Sequence, residues 1–178
     1  MILASGSPQR KAILEQLGVE FRVEVPELEE VVDGDAHEVV RENALLKARA
    51  VSGERVLGAD TAVVLDDEVF GKPADERAAE RFLRALSGRM HHVMTGVAVI
   101  DGGEERSDVA VTEVHFRTLT DADLDWYLAT GEWRERAGGY AIQGRGAALV
   151  ESIVGDYWNV VGLPVPLLLR LMPDLLAR

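Results

Sequence analysis

The first eighteen residues of this chain constrain its fold more than any other segment. An apolar run at residues 2–4 predicts a strand, and the Ser-Gly-Ser sequence at residues 5–7 predicts a tight turn. Ser7 suits the N-cap of a following helix, Pro8 suits its first position, and Gly18 suits its end. Backbone N–H groups at the positive end of such a helix attract phosphate. A capped helix start without a ligand is the alternative interpretation.

The composition excludes several function classes. The formal net charge of −12 argues against duplex nucleic acid as a partner, because a phosphate backbone requires a basic face. The chain has no cysteine, which excludes disulfides and thiolate metal sites and favours a reducing compartment. No apolar stretch is long enough to cross a bilayer, and no signal peptide is recognised. We therefore expect a cytoplasmic protein with neither a nucleic-acid nor a membrane partner.

Caps and strand-forming segments alternate along the chain and predict a mixed α/β fold. The 178 residues suit one domain. Hairpins interrupt the alternation, so the sheet is expected to be mixed and not all parallel. Helices are predicted after the caps Ser7, Asp35, Asp75 and Thr120, and from Pro164. Strands are predicted at 2–4, 19–25, 56–65 (one bent strand or a pair), 68–70, 90–100 and 107–116, after Gly138-Gly139, and at 147–153.

An acidic residue stands between two apolar segments in the middle of the chain. Asp60 follows Val56-Leu57 and precedes a further apolar run at 63–65. Because burial of an unpaired carboxylate costs several kcal/mol, Asp60 must find a cation, a hydrogen-bonding turn or solvent in a cleft. An Asx turn is the structural alternative. The hairpin that follows returns Lys72 toward the level of Asp60, although a lysine beside Gly and Pro is also typical of a solvated turn.

Three further polar residues are candidates for a nucleotide site. Glu30 lies in an acidic loop, and a carboxylate pair from two loops suits Mg²⁺ or Mn²⁺ that also contacts phosphate. Lys47 lies on an otherwise apolar helix face, where a snorkelling side chain is the alternative. Gln143 lies in a glycine-flanked loop, and its amide can donate to and accept from a base edge. Solvated charge and a plain turn are the alternatives for Glu30 and Gln143.

The motifs together resemble the Maf family of nucleotide pyrophosphatases. They occur in order over nearly the whole chain, which makes the combination specific although each motif alone is weak. The matching segments are Leu3–Arg10, Leu57–Thr61, Gly71–Pro73, Leu86–Gly88, Thr95–Val97, Tyr140–Gly144 and Asn159–Pro164.

The resemblance implies a fold, an activity and a set of site residues. It implies one Maf-like domain over 1–178, with two lobes around a central cleft as in inosine triphosphate pyrophosphatases, and a homodimer. The implied activity is metal-dependent hydrolysis of a nucleoside triphosphate to the monophosphate and pyrophosphate, with Mg²⁺ or Mn²⁺ as cofactor. The implied catalytic set is Asp60 as proton acceptor with Glu30, Lys47 and Lys72, the implied metal ligands are Glu30 and Asp60, and the implied phosphate-binding set is Ser5, Ser7 and Arg10.

Three positions distinguish branches of this family by substrate. Thr61 and Gln143 resemble the branch that acts on dTTP and UTP. Gln9 departs from that branch, which typically has arginine there. Hydrolysis of 7-methyl-GTP or of inosine and xanthosine triphosphates is the enzymatic alternative. A nucleotide-sensing regulator of cell division without catalysis is the alternative outside enzymes.

Overall fold

The fold is a seven-stranded mixed sheet with helices, in a computed structural model that describes residues 1–177. The strand order is β2-β1-β3-β5-β6-β7, with β4 paired to β3. Strand β1 is parallel to β2 and β3, whereas β4 is antiparallel to β3 and β7 to β6. The predicted mixed α/β class is therefore confirmed. The strands are β1 Ile2–Leu3, β2 Arg22–Val23, β3 Arg55–Leu65, β4 Glu68–Phe70, β5 Met90–Asp101, β6 Glu104–Phe116 and β7 Val150–Val154.

The helices begin where the sequence predicts caps. The side chains of Ser7, Asp35 and Asp75 each accept a hydrogen bond from a backbone N–H of the first turn that follows. Thr120 and Asp123 form the reciprocal contacts of a capping box. The helices are α1 Pro8–Gln16, α2 Ala36–Arg49, α3 Glu76–Leu86, α4 Asp121–Leu128, α5 Tyr157–Val161 and α6 Val165–Leu171.

The strand predicted after Gly138-Gly139 is wrong. Both glycines have positive φ values, 69° and 73°, and a short 3₁₀-helix covers 137–139. The segment that follows turns instead of extending, and a second 3₁₀-helix covers 145–149. The strand predicted at 147–153 consequently begins only at Val150. Elsewhere, the strand predicted at 19–25 is limited to β2, and the central 56–65 segment is one continuous strand.

Two compact units divide the chain. The first unit comprises Met1–Thr61, Met94–Ala110 and the chain from Gly162 onward, and the second comprises Ala62–Val93 and Val111–Val161. An arrangement of two lobes around a cleft stays a prediction. The apolar core of the first unit contains Ile2, Ala4, Ala44, Leu45, Ala48, Val51, Val56 and Ala98. Buried in the second are Val63, Leu65, Phe70, Ala79, Leu83, Leu86, Val93, Val114, Phe116, Leu124, Tyr127, Leu128, Trp133, Tyr140, Ile142 and Leu149.

Within residues 1–177, no helix is both long and apolar enough to cross a membrane.

Helix α2 lies directly against two glycines of the sheet in the first unit. A Cβ atom on Gly58 of β3 would collide with the Ala44 carbonyl oxygen and lie 2.9 Å from the Ala48 amide nitrogen. A Cβ atom on Gly96 of β5 would collide with the Val40 carbonyl oxygen. The three helix residues are spaced by four positions and are fully buried, so they form one row along α2. The missing side chains of the two glycines thus allow the helix backbone to touch the sheet.

We expect Gly58→Ala to destabilise the protein strongly, because the clash is with helix backbone that cannot rotate away. The free energy of unfolding, measured by urea titration, should fall by about 3 kcal/mol, at the upper end for overpacking. Gly71→Ala is the matched control, since a Cβ atom there meets nothing within 4 Å and the φ of Gly71 is not positive. That variant should change stability by no more than about 1 kcal/mol. Equal stability of the two variants would contradict the close approach.

Candidate functional site

The carboxylate of Asp60 is held at both of its oxygens by helix α2. Lys47 donates from Nζ to Asp60 Oδ1 over 2.7 Å, and Asn43 donates from Nδ2 to Oδ2 over 3.1 Å. Side chains two residues apart on a strand point to the same face, so Gly58 and Asp60 both face α2. Asn43 and Lys47 are four residues apart on the helix and therefore adjoin. The acid predicted to need a cation has one, and the Asx-turn alternative is unnecessary.

A second carboxylate meets the same lysine. Glu30 Oε1 lies 2.7 Å from Lys47 Nζ, so one ammonium bridges two acids from separate segments. The side chains of Lys47 and Asp60 are 13% and 16% exposed, whereas that of Glu30 is 49% exposed. The trio carries one net negative charge when its members are ionised. The sequence thus predicted three residues that the structure brings together, and snorkelling alone does not describe Lys47.

The carboxylates of Glu30 and Asp60 fit a divalent cation that also contacts a substrate. Because both lie 2.7 Å from one ammonium nitrogen, their oxygens are at most twice that distance apart. Among residues 1–177, no group of three or more His, Cys, Asp and Glu side chains could form a metal cage. Mg²⁺ typically uses one or two carboxylates and completes its shell with water and phosphate. The donor set matches that mode of binding.

Arg10 is buried beside this site and donates to four oxygens from three segments of the first unit. Its Nε donates to the Gly162 carbonyl over 2.9 Å, and Nη1 donates to the Ala59 carbonyl over 2.8 Å. Nη1 also donates to Ser5 Oγ, and Nη2 donates to Thr61 Oγ1, each over 3.0 Å. Burial lowers the pKa of the guanidinium, and the negative charges of Asp60 and Glu30 oppose that shift. Arg10 thus ties the residues on either side of Asp60 to the amino-terminal turn.

The amino-terminal turn is organised by its own hydroxyl groups. Ser5 is buried, and its Oγ accepts from the Ser7 backbone N–H over 3.2 Å as well as from Arg10. Ser7 Oγ accepts from the Arg10 backbone N–H and donates to Gln9 Oε1 over 3.1 Å. Phosphate contacts by Ser5, Ser7 and Arg10 stay predictions, as does the influence of Gln9 on specificity. In the structure all four residues serve first to shape the turn.

The hydroxyl of Thr61 takes part in the same hydrogen-bond network. It accepts from Arg10 and lies 2.9 Å from the hydroxyl of Thr95, a residue of β5 in the same unit. A base-selecting role of Thr61 stays a prediction.

Lys72 belongs to the second unit and is exposed. Its Nζ lies 2.9 Å from Oε2 of Glu135, and both side chains are mostly in solvent. Glu135 has a positive φ of 57°, an uncommon conformation for a residue with a side chain. Lys72 therefore has a long, mobile ammonium with one weakly held partner, consistent with a cation able to bind an incoming anion. A catalytic role of Lys72 remains a prediction.

The loop with Gln143 is pinned at both of its ends within the second unit. The buried hydroxyl of Tyr127 accepts from the Ala141 N–H over 3.0 Å, and Glu132 Oε2 accepts from the Arg145 N–H over 2.7 Å. A Cβ atom on Gly144, beside the exposed Gln143, would require the carboxylate of Glu132 to move. Burial raises the pKa of Tyr127 to about 12, so its hydroxyl stays protonated near neutral pH. A rigid loop thus presents Gln143.

The histidines belong neither to the residues around Asp60 nor to the loop with Gln143. His91 is fully buried, and its Nε2 lies 2.9 Å from the hydroxyl of Tyr140. Burial lowers the pKa of His91 to about 4, so the ring is neutral near pH 7. His91 is therefore a buried, neutral residue of the core of the second unit.

Three residues around the candidate groups were missed by sequence reasoning. Asn43 is 2% exposed and contacts Asp60 directly. Glu132 and Tyr127 hold the Gln143 loop. Asn43 left a detectable signal, because a polar amide four residues before Lys47 interrupts an apolar helix face. The other two left none, since their partners are backbone N–H groups that no side-chain pattern reveals.

A comparison with protein-family models finds one match that covers nearly the whole chain. The family is described as "Maf-like protein" and matches residues 1–175.

Curated relatives match over nearly the same length. A dTTP/UTP pyrophosphatase of Symbiobacterium thermophilum is 53% identical over 171 residues, covering 93% of this chain and 88% of the relative. A dTTP/UTP pyrophosphatase of Deinococcus radiodurans is 46% identical over 177 residues, covering 97% and 91% of the two chains. A third relative with the same name, from Dictyoglomus thermophilum, is 45% identical over 174 residues and covers 93% and 90%.

We expect Arg10→Lys to cost about 2–4 kcal/mol of stability, because one ammonium cannot reach acceptors that a planar guanidinium satisfies from three nitrogens. Urea unfolding measures the change. Arg22→Lys is the control, since the exposed Arg22 in the same unit pairs with Glu24 across 2.6 Å in a surface ion pair. That variant should lie within about 0.5 kcal/mol of the natural chain. A similarly small effect at Arg10 would show that its buried contacts do not support the fold.

Proposed function

The chain belongs to the Maf family, and on that premise we propose that it hydrolyses dTTP and UTP to the nucleoside monophosphate and pyrophosphate. The observation that carries the proposal is the clamped carboxylate of Asp60, with Glu30 on the same lysine. A sensor without catalysis needs no general base, whereas our proposal gives that role to Asp60, which has a cationic group and a second acid beside it. Sequence identities of 45%, 46% and 53% to three relatives named dTTP/UTP pyrophosphatase support the choice of substrate.

The reaction requires a water molecule positioned to attack the α-phosphorus opposite the leaving pyrophosphate. A new bond forms between the water oxygen and the α-phosphorus, and the bond from that phosphorus to the α,β-bridging oxygen breaks. In our proposal Asp60 orients the water and accepts its proton. Hydrogen bonds from Lys47 and Asn43 hold the two oxygens of Asp60 in one orientation, which reduces the entropy lost when the water is aligned.

Glu30 and Asp60 are the residues that would hold the divalent cation, Mg²⁺ or Mn²⁺. When bound, that cation supplies positive charge that stabilises the triphosphate and the negative charge that develops on pyrophosphate. Lys47 keeps the two carboxylates close together despite their mutual repulsion. The remaining phosphate charge is assigned to Lys72 and to the turn with Ser5, Ser7 and Arg10. Cations at the phosphates are needed because the protein as a whole is strongly acidic.

Specificity is assigned to three positions. Gln143 presents an amide donor and acceptor that suit the carbonyl groups and N3–H of a pyrimidine. Thr61 contributes through its position next to Asp60, the proposed proton acceptor. Gln9 stands where the branch that acts on dTTP and UTP typically has arginine, and the loss of that positive charge would broaden the substrate range. Assembly as a homodimer and residence in the cytoplasm are part of the same proposal.

Release of pyrophosphate from a panel of nucleotides tests the activity. With Mg²⁺ or Mn²⁺, we expect release from dTTP and UTP to exceed release from CTP and 7-methyl-GTP. The Asp60→Asn variant should lose at least about 100-fold in kcat, because asparagine cannot accept the proton. Thermal unfolding of this variant verifies that it is folded. Undiminished turnover by Asp60→Asn would contradict the role of Asp60 as the base. A preference for 7-methyl-GTP or inosine triphosphate would contradict the proposal that dTTP and UTP are the substrates.

Lys72→Ala tests the proposed role of Lys72. Loss of an ammonium that binds phosphate should raise KM and lower kcat together, by roughly 10-fold to 100-fold in kcat/KM for dTTP. Lys11→Ala is the matched control, because Lys11 is a similarly exposed lysine whose Nζ lies 3.7 Å from Glu15 on α1. The control should leave both constants unchanged. If Lys72→Ala behaves in the same way, Lys72 is a solvated turn residue.

A further inference from the structure

Asn43 holds two segments of the site with one side chain. Its Oδ1 accepts from the Val31 N–H over 2.7 Å, and its Nδ2 donates to the Val31 carbonyl over 3.0 Å. The same Nδ2 donates its second hydrogen to Asp60 Oδ2 over 3.1 Å. Asn43 is 2% exposed, so all three bonds have one buried partner. The amide therefore spans from the backbone after Glu30 to the carboxylate of Asp60.

The segment with Glu30 depends on such contacts for its position. Residues 24–32 contain no helix and no strand, so no regular ladder fixes them. The paired bonds between Asn43 and both polar atoms of Val31 reproduce what a neighbouring strand would supply. Glu30 is the residue immediately before Val31, and the two-point contact limits where its carboxylate can lie.

Lys47 does not fix the geometry of the two acids in the way that Asn43 does. Its ammonium attracts both Glu30 and Asp60, but it is a point charge on a flexible stem and allows many arrangements of the acids. A planar amide with two donors and one acceptor in fixed directions allows few. The attraction therefore comes from Lys47 and the geometry from Asn43, which lies one turn earlier on the same helix.

We propose that Asn43 is a positioning residue, which sets the separation and orientation of Glu30 and Asp60 for the hydrolytic step. The inference rests on the proposed function, in which these two carboxylates act together. Asn43 itself touches neither the water nor the phosphate, and it acts through the two acids. A buried asparagine that merely satisfies its own polar atoms would instead affect stability and leave turnover unchanged.

Two substitutions separate the contacts. Asn43→Ala removes all three hydrogen bonds. Asn43→Asp has nearly the same shape and still accepts from the Val31 N–H, but it cannot donate, and it brings a carboxylate against Asp60 and the Val31 carbonyl. Leu45→Ala is the matched control, because Leu45 is buried on the same helix, contacts the apolar core and makes no hydrogen bond with its side chain.

Steady-state kinetics with dTTP and thermal unfolding are measured for each variant. We expect kcat to fall by roughly 10- to 100-fold in both Asn43 variants at a temperature where they are folded, with KM changed by less than about threefold. Leu45→Ala should lower the melting temperature and retain the kcat of the natural chain. Asn43 variants that resemble Leu45→Ala, with lower melting temperatures and unchanged kcat, would overturn the proposal.

Amide hydrogen exchange provides a readout that does not depend on activity. Exchange of the Val31 N–H should accelerate by roughly tenfold or more in Asn43→Ala, because its acceptor is gone, and should stay near the natural rate in Asn43→Asp. Unchanged exchange in Asn43→Ala would also overturn the proposal.

Failure of the proposed function has a different signature. In that case the natural chain and Leu45→Ala would release no pyrophosphate from any nucleotide of the panel, and the inference would fall with it. If the natural chain is active, Asp60→Asn is inactive and the Asn43 variants turn over normally, the inference alone is wrong.

Discussion

The contact between the backbone of helix α2 and the sheet at Gly58 and Gly96 determines the site in the first unit. Any side chain at either position would push the helix away from the strands. Because Asp60 follows Gly58 on the same face of β3, the same approach brings the acid under α2. The side chain of Asn43 then reaches one carboxylate oxygen and that of Lys47 reaches the other. A helix displaced outward would weaken the contact of Asn43 most, because the side chain of asparagine is short.

In the first unit, the positive charges of Lys47 and Arg10 are compensated in different ways. Lys47 serves two carboxylates at once, so the trio remains negative and able to attract a further cation. Arg10 is compensated differently, since its donors go to carbonyl and hydroxyl oxygens of the protein, and the acids act on it only at a distance. A buried guanidinium with neutral acceptors is typical of a structural support. Lys47 thus pairs with the two acids, whereas Arg10 supports the amino-terminal turn to which phosphate binding is assigned.

Local chemistry explains which elements the sequence predicted correctly. A cap acts within its own first turn, and the contacts of Ser7, Asp35, Asp75 and Thr120 therefore follow from residues two or three positions apart. The strand predicted after Gly138-Gly139 fails for the opposite reason. The shape of that segment depends on the hydroxyl of Tyr127, fourteen residues before Ala141, and no local pattern reports such a contact. In that segment, tertiary contacts override the local preference for a strand.

The sequence by itself determined the mixed α/β class, the helix starts, the family and the chemical types in the candidate site. Motif order and short-range capping are properties of residues near each other in the chain, so they can be read without a structure. Only the tertiary structure decided that Lys47 bridges Glu30 and Asp60, that Arg10 faces inward and that Asn43 links two segments. The contacts of Arg10 join segments that are distant in the chain. Those of Lys47 and Asn43 depend on how closely α2 approaches the sheet, and that distance is set by glycines whose partners lie fourteen and fifty-six residues earlier in the chain.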